Sequence, residues 1–313
     1  MKPVLTVAAA VCMGISTGAY AQTAGDQGSE LTLSYTNYSS DFLPANVSSL
    51  HFSTTGAYNF TPAFGIQYGV GFNRFSLSEG GSRISVDLVD FDLHGYYNVS
   101  QDVKVGVFVS DFVLDQITLD FGGPSGTISP DIYALVYGGE AMASFGALDV
   151  EAYAGVGALD GSDIGSTNVD IFTYGVDVSY AISSSVSLNA GINGVNLDIE
   201  SGAASFDLLS YSVGAEYAFN SDLSINANIH GGTLRIDGDG LDMFGYGIGV
   251  EYDLPVNIMG GSELTAFASV KSTNLSTTFS SDSEDVLTYE IGVKMSFGGA
   301  ASGNDFFSGP TLF

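Results

Sequence analysis

Charged side chains that alternate with apolar residues are the groups in this chain with the clearest capacity for chemistry. Residues at i and i+2 of a strand share one face, so such carboxylates could together attract cations, bind metal or exchange protons. Nine acidic residues and two lysines stand at the polar positions of alternating segments and are predicted to line one common surface: Asp90, Asp92, Glu140, Asp149, Glu151, Asp177, Glu216, Glu251, Lys271, Glu290 and Lys294.

Metal binding and catalysis find little support in the sequence. His51, His94 and His230 fall on separate predicted strands without a ligand partner at i+2 or i+4, and a metal site needs a cluster of ligands. The stretch DGDGLD at 237–242 has Leu241 at a ligand position and no glutamate to close a calcium loop. Serine is so abundant that a Ser–His pair would be coincidental. We therefore expect no enzyme activity, metal or cofactor.

The elements that carry the charged residues alternate with period two. The stretch YEIGVKMSF, Tyr289 to Phe297, places apolar residues at every second position, which is typical of a strand with one face in an apolar medium. About 14 such segments follow one another. Short turns alternate with longer Gly- and acid-rich connections, as in an outer-membrane barrel.

Two places depart from the regular alternation. Leu88 and Val89 are consecutive apolar residues, and this change of parity predicts a bulge in the strand. The connection at 114–131 is the longest, and its own alternation indicates a tall hairpin above the membrane. A loop folded into the lumen is the alternative.

The apolar medium is predicted to be lipid. Aromatic residues gather at both ends of the predicted strands, which is typical of the two bilayer interfaces, and the opposite face is rich in Gly and Ser. The sequence predicts an all-β fold: a transmembrane, antiparallel, up-and-down β-barrel of about 14 strands, with 12 to 16 left open. The competing interpretation is a soluble β-sandwich.

The two ends of the chain have their own predicted roles. Residues 1–21 have the three-part pattern of a signal peptide, with Lys2 before an apolar run and Ala19-Tyr20-Ala21 before the cleavage site. A lipoprotein acylated at Cys12 is the alternative. A short lead (22–29), the barrel (30–297) and a flexible periplasmic tail (298–313) follow.

The stretch EIGVKMSF resembles the C-terminal β-signal of Gram-negative outer-membrane barrels, a porin-like superfamily. Glu290, Gly292, Met295 and Phe297 match its polar, glycine, hydrophobic and aromatic positions. The resemblance implies recognition by the barrel-assembly machinery and a multi-pass place in the bacterial outer membrane, among lipid and lipopolysaccharide. An alternative signal ends at Phe313, although its glycine position holds Ser308.

The side chains of the inward face are too small to fill a barrel of this size. The expected function is a porin-like channel for passive diffusion of small hydrophilic solutes, weakly cation-selective because carboxylates predominate. The alternative is a non-conducting structural or adhesive barrel. A net charge of −28 argues against nucleic-acid binding. Alanines on the sixth and seventh predicted strands leave monomer and homotrimer both open.

Overall fold

The computed structural model describes residues 29–40, 46–120, 125–162, 169–199, 205–236, 239–258, 262–277 and 283–297. The predicted signal peptide, all but the last residue of the lead, and the tail lie outside this part of the chain. In the ranges above, no helix has the length and apolar character needed to cross a bilayer.

The described chain is built of antiparallel strands. Fifteen follow one another: β1 Ser29–Ser39, β2 Asn46–Thr61, β3 Phe64–Glu79, β4 Ser82–Asn98, β5 Val103–Asp120, β6 Gly126–Ile128, β7 Ile132–Phe145, β8 Leu148–Asp160, β9 Val169–Ser183, β10 Val186–Ile199, β11 Ser205–Ala218, β12 Leu223–Ile236, β13 Asp239–Ile258, β14 Ser262–Thr277 and β15 Ser283–Phe297.

Fourteen of these strands close into a barrel, which confirms the predicted fold and strand number. Each pairs with its sequence neighbour, β5 pairs with both β4 and β7, and β1 pairs with β15 from Ser29 opposite Phe297 to Ser39 opposite Leu287. The three-residue β6 pairs with the end of β5 at Ile117 to Leu119. The described part of the 114–131 connection is therefore a hairpin, as its alternation predicts.

The two rims of the barrel differ. We call the rim where β1 begins and β15 ends the periplasmic rim, because short turns lie on that side in bacterial barrels. Its turns are compact: Thr61 Oγ1 accepts hydrogen bonds from the N–H groups of Ala63 and Phe64 at 3.2 and 3.0 Å. The opposite rim is called the outer rim.

The outward face is apolar across the middle of the wall. On β9, Phe172, Tyr174, Val176 and Tyr180 are all more than a third exposed. This band covers about 20 Å along the barrel axis at the usual strand tilt, close to the apolar height of such barrels. Aromatic residues mark its lower border: Phe60, Phe64, Tyr97, Phe145, Tyr180, Phe219 and Tyr252. The outward apolar medium is thus lipid, not a second sheet.

Several strands are too long for the bilayer alone. β5 has 18 residues and β4 has 17, whereas about 9–11 residues cross the membrane. The extra length lies at the outer rim. The stretch SEGGS at 78–82 is mostly strand there, since β3 and β4 are joined only by Gly80 and Gly81, with φ of 57° and 90°. Glycine adopts this left-handed region without steric cost.

Beyond the lipid band, toward the outer rim, the polarity of the two faces of the wall is exchanged: the inward face becomes apolar and the outward face becomes polar. On β4, Ile84 and Val86 point inward and pair with Leu119 and Ile117 of β5, while Ser85 and Asp87 point outward. The same exchange occurs on most barrel strands, whereas on β7 the outward residues at this height, Tyr133 and Leu135, are aromatic or aliphatic. We call the inward apolar ring the collar, defined by one residue per strand: Tyr38, Val47, Leu77, Val86, Phe112, Val136, Leu159, Ile171, Val195, Leu208, Leu234, Leu241, Leu275 and Val286.

This exchange of polarity explains the consecutive apolar pair Leu88 and Val89, and the predicted bulge is found beside this pair, on β5 rather than on β4. The β3–β4 register continues without a shift from Asn73 opposite Leu88 to Phe72 opposite Val89. Leu88 belongs to the apolar inward face above, and Val89 to the lipid face below. The irregularity lies across the sheet, where Asp115 of β5 is skipped between the pairs Asp87–Gln116 and Leu88–Leu114.

Candidate functional site: the barrel lumen

The inward face divides the lumen into two sections. From the periplasmic rim to about mid-height, it carries hydroxyls, amides, glycines and charged groups, and we call this part the polar section. Above it lies the collar. On β9, for example, Ser179, Asp177, Gly175 and Thr173 belong to the polar section and Ile171 to the collar. A solute crossing the barrel would meet both sections in turn.

Inward glycines let carboxylates lie against the wall. A Cβ at Gly71 would meet the carboxylate of Asp90 on the next strand, and a Cβ at Gly191 would meet that of Asp177. At Gly106, it would approach Oε1 of Glu140 to 2.5 Å. The small residues therefore accommodate their charged neighbours as well as widening the lumen.

A cavity of about 420 Å³ occupies the polar section. Its lining brings together residues from most of the wall, including seven charged side chains: Glu30, Asp149, Glu216, Glu251, Lys271, Glu290 and Lys294. Six of these belong to the predicted set. Glu30 was missed, although it alternates with Thr32 and Ser34 at the start of β1 and could have been found by extending that pattern by one step.

Both predicted lysines of the lumen face carboxylates. Lys271 Nζ lies 3.9 Å from Glu290 Oε2, and Lys294 Nζ lies 3.5 Å from Glu251 Oε2. Each lysine therefore offsets one carboxylate on the β13–β15 wall. Asp149 and Glu216, on β8 and β11, line the same cavity with no lysine across their adjacent strands. The cavity wall consequently carries a net negative charge.

The other predicted residues form a second group on β4, β7, β8 and β9. His94 Nδ1 lies 2.9 Å from Glu140 Oε2, and both residues are buried. Asp90 and Asp92 follow His94 up the inward face of β4, and Glu151 pairs across with Asp177. These five acids, Asp90, Asp92, Glu140, Glu151 and Asp177, lie on the inward face but outside the lining of the cavity.

The three histidines lie on different strands and have different neighbours. His51 Nδ1 is 2.7 Å from Asn73 Oδ1, and His230 Nε2 is 2.9 Å from Thr273 Oγ1. His94 contacts Glu140. Among the described residues, no group of three histidine, cysteine or acidic side chains is placed to hold a metal ion.

The collar is buried. Val136 is 0% exposed, Val286 2% and Ile171 3%, whereas inward residues of a wide water-filled barrel would be wetted. All its members except Val86 belong to two apolar clusters, and Leu275 packs against both. The outer part of the lumen is therefore an apolar environment.

The outer surface at the height of the collar is polar and carries the chain's arginines. Arg74 Nε donates to Asp87 Oδ1 at 2.7 Å, and Arg235 Nη2 donates to Asp242 Oδ1 at 2.6 Å. Arg83 pairs across with Ser78 on the same outward face. Two of the three arginines therefore form salt bridges with outward carboxylates.

The residues of the predicted assembly signal lie on β15, at the seam with β1. Gly292 stands opposite Ser34, Met295 opposite Leu31 and Phe297 opposite Ser29. A Cβ at Gly292 would meet the ring of Phe267 and the carbonyl oxygen of Leu33, so glycine has a packing role here. Recognition of Glu290, Gly292, Met295 and Phe297 by the assembly machinery remains a prediction.

No protein-family model and no curated protein sequence matches this chain, but solved structures do. A FadL homologue of Pseudomonas aeruginosa superposes with a TM-score of 0.56 at 9% identity, covering 87% of this chain and 90% of that one. The CymD monoaromatic hydrocarbon channel gives 0.51 at 11% identity, over 88% and 90%. A loop-deletion mutant of OmpT, an outer membrane protein of Vibrio cholerae, gives 0.50 at 13%, over 88% and 100%.

The shared feature of these structures is the fold. Together with the closed sheet and the lipid-facing apolar band, it makes this chain a bacterial outer-membrane β-barrel.

Proposed function

We propose that the barrel is a channel for passive diffusion of small water-soluble solutes, and that it is weakly cation-selective. The observation that carries this proposal is the acidic lining of the 420 Å³ cavity, in which five carboxylates accompany two lysines. Carboxylates along a pore raise the local concentration of cations and lower that of anions. The permeation role does not require catalysis, a metal or a cofactor.

Two further observations support permeation. Around the cavity, the inward face carries small side chains such as Ser53, Ser212 and Gly214, whereas on β5 and β8 the buried rings of Phe108 and Tyr153 fill the lumen. CymD, which has the same fold, is described as a hydrocarbon channel. The proposed partners are accordingly small solutes, together with the lipid and lipopolysaccharide of the membrane. A monomer and a homotrimer are both compatible with this function.

Ion selectivity tests the proposal directly. We expect reconstituted barrels in a KCl gradient to give a reversal potential whose sign shows that potassium permeates more readily than chloride. Replacing Asp149 by Asn and Glu216 by Gln together should lower the potassium-to-chloride permeability ratio roughly twofold, because the two charges without a facing lysine are removed. Measurement at about 0.1 M salt or below keeps screening weak.

A matched control uses an acid on the outer surface. Asp207→Asn removes a charge from β11, the strand that carries Glu216, but from the outward face near the outer rim, so the ratio should stay unchanged. A chloride preference in the wild-type channel would contradict cation selectivity. Liposomes that show neither ion conductance nor swelling in sugars would instead favour the structural or adhesive barrel.

A further inference from the structure

The collar has a consequence for what crosses the barrel. Its inward residues are aliphatic or aromatic on all 14 strands, and several are almost fully buried. Apolar constrictions dewet, and a dewetted section opposes bare ions and sugars. The same environment favours apolar molecules, because an apolar body that enters among the collar side chains is removed from water.

The lumen thus places two selective sections in series. The collar favours an apolar body, and the polar section below it favours positive charge through Asp149, Glu216 and Glu30. Glu284 adds a further inward carboxylate beside Leu275 at the collar. The described inward positions of the collar include no lysine or arginine, because Arg74, Arg83 and Arg235 all point outward.

We infer that the solutes of this channel are small amphipathic organic cations, with an apolar aryl or alkyl body and an ammonium group. This inference rests on the proposed channel function and assigns its substrate class. The collar residues are then the determinants of specificity: the apolar body packs among the collar side chains while the ammonium group passes from Glu284 to the carboxylates of the polar section. Sugars lack the body, and organic anions are repelled by the acids.

The geometry also accounts for the position of the collar. Fourteen strands give a wider lumen than the roughly eight strands at which inward side chains fill the interior. The collar closes this width with apolar side chains: Val136, Ile171 and Val286 are at most 3% exposed, so a solute must part them to pass. Its location at the outer rim makes it the first section that an incoming solute meets.

Bi-ionic reversal potentials test the inference on the full-length barrel in planar bilayers. We compare benzyltrimethylammonium, which is permanently charged and does not cross lipid unaided, with choline, a smaller cation bearing a hydroxyl group. We expect benzyltrimethylammonium to be about threefold more permeant than choline despite its larger size, because apolar burial favours it. Benzenesulfonate, which has the same ring but a negative charge, should be the least permeant.

A collar variant and a matched control locate the effect. Val136→Thr, Val195→Thr and Val286→Thr together exchange buried collar methyl groups for hydroxyls of similar size on β7, β10 and β15. We expect the benzyltrimethylammonium-to-choline ratio to fall to about one and potassium conductance to rise, since the collar becomes wettable. Val107→Thr, Val176→Thr and Val213→Thr make the same exchange on the lipid face and should leave both quantities unchanged.

The outcomes separate this inference from the proposed function. A cation-selective wild-type channel that prefers choline, or whose ratio is the same in the collar variant, overturns the substrate class and leaves the channel intact. Wild-type barrels that conduct no ion overturn both. Heat-modifiable migration on gels shows whether each variant has folded. If the collar variant does not fold, the benzyltrimethylammonium-to-choline permeability ratio of the wild type alone tests the inference.

Discussion

A lysine at position 176 is expected to destabilise the barrel by about 2–4 kcal/mol, whereas a lysine at position 170 should change its stability by less than about 0.5 kcal/mol. Both side chains point outward from β9. Val176 lies in the middle of the lipid band, between Tyr174 and Val178, while Asp170 lies beyond Phe172 at the height of the collar.

The difference follows from the exchange of polarity along the wall. A charge at the centre of the bilayer loses its hydration, and its cost falls toward the interfaces. Asp170 is already charged and exposed, so a lysine there stays in water. If the lipid band extended to the end of the strand, as simple alternation would suggest, Asp170 would itself be costly.

Urea unfolding of Val176→Lys, Asp170→Lys and the wild type in lipid vesicles measures the two free energies. The native barrel must refold reversibly under the same conditions for the comparison to hold. Equal losses of stability for the two variants would contradict the boundary that we place between Phe172 and Asp170.

Replacing Gly157 by valine is expected to cost about 3 kcal/mol or more and to prevent folding of much of the protein, because overpacking against backbone cannot be relieved by a rotamer change. A Cβ at Gly157 would meet the carbonyl oxygen of Leu135 and come within 2.8 Å of the Cα of Val136 on β7. The strand would have to separate from its neighbour beside a fully buried collar residue.

Ala158→Val supplies the control for this effect. Ala158 is the next residue on β8; it points outward opposite Asp170 and is exposed, so a valine has room there. The fraction of heat-modifiable, folded barrel on gels should drop strongly for Gly157→Val and stay near the wild-type value for Ala158→Val. Equal folded fractions would show that Gly157 has no packing role.

The fold could be predicted because its signals are local. The alternation of Tyr289, Ile291 and Val293 with polar residues identifies a lipid-facing strand within a few positions, and the same pattern recurs until the sheet closes. Aromatic residues such as Phe60 and Tyr97 mark the border with water. No long-range information is needed for either inference.

The collar could not be predicted in this way because inward and outward faces exchange polarity within a strand. At Leu88 and Val89, the sequence has the same appearance whether a bulge shifts the register or the surrounding medium changes. Only the unbroken pairing of Asn73 with Leu88 and Phe72 with Val89 distinguishes these cases. A strand predicted on its own carries no information about the height at which the bilayer ends.

The charged positions were partly accessible to sequence reasoning. Parity alone places Glu251 and Lys294 on the inward face, but their approach to 3.5 Å depends on the stagger of β13, β14 and β15. The division of the eleven predicted residues between the cavity and the β4–β9 wall depends likewise on the whole barrel. Glu30 lies at the first position of the predicted barrel and was not assigned to the inward face.

Site-directed cysteine labelling along β9 tests most directly the claim that lipid and water exchange sides at the outer rim. The chain's one cysteine, Cys12, lies in the predicted signal peptide, so single cysteines at 170, 171, 176 and 177 in the mature protein can be labelled without background. Each single-cysteine variant is tested for its rate of reaction with a water-soluble maleimide. Each is also labelled with a fluorophore and tested for quenching of its fluorescence by brominated lipid.

Cysteine 170 should react with the water-soluble maleimide and escape the lipid quencher, while cysteine 176 should be quenched by lipid. Cysteine 177 should react through the lumen, and cysteine 171 in the collar should react slowly with the aqueous reagent and escape lipid. Quenching at position 170, together with rapid aqueous labelling at position 171, would contradict an apolar collar and the solute selectivity derived from it.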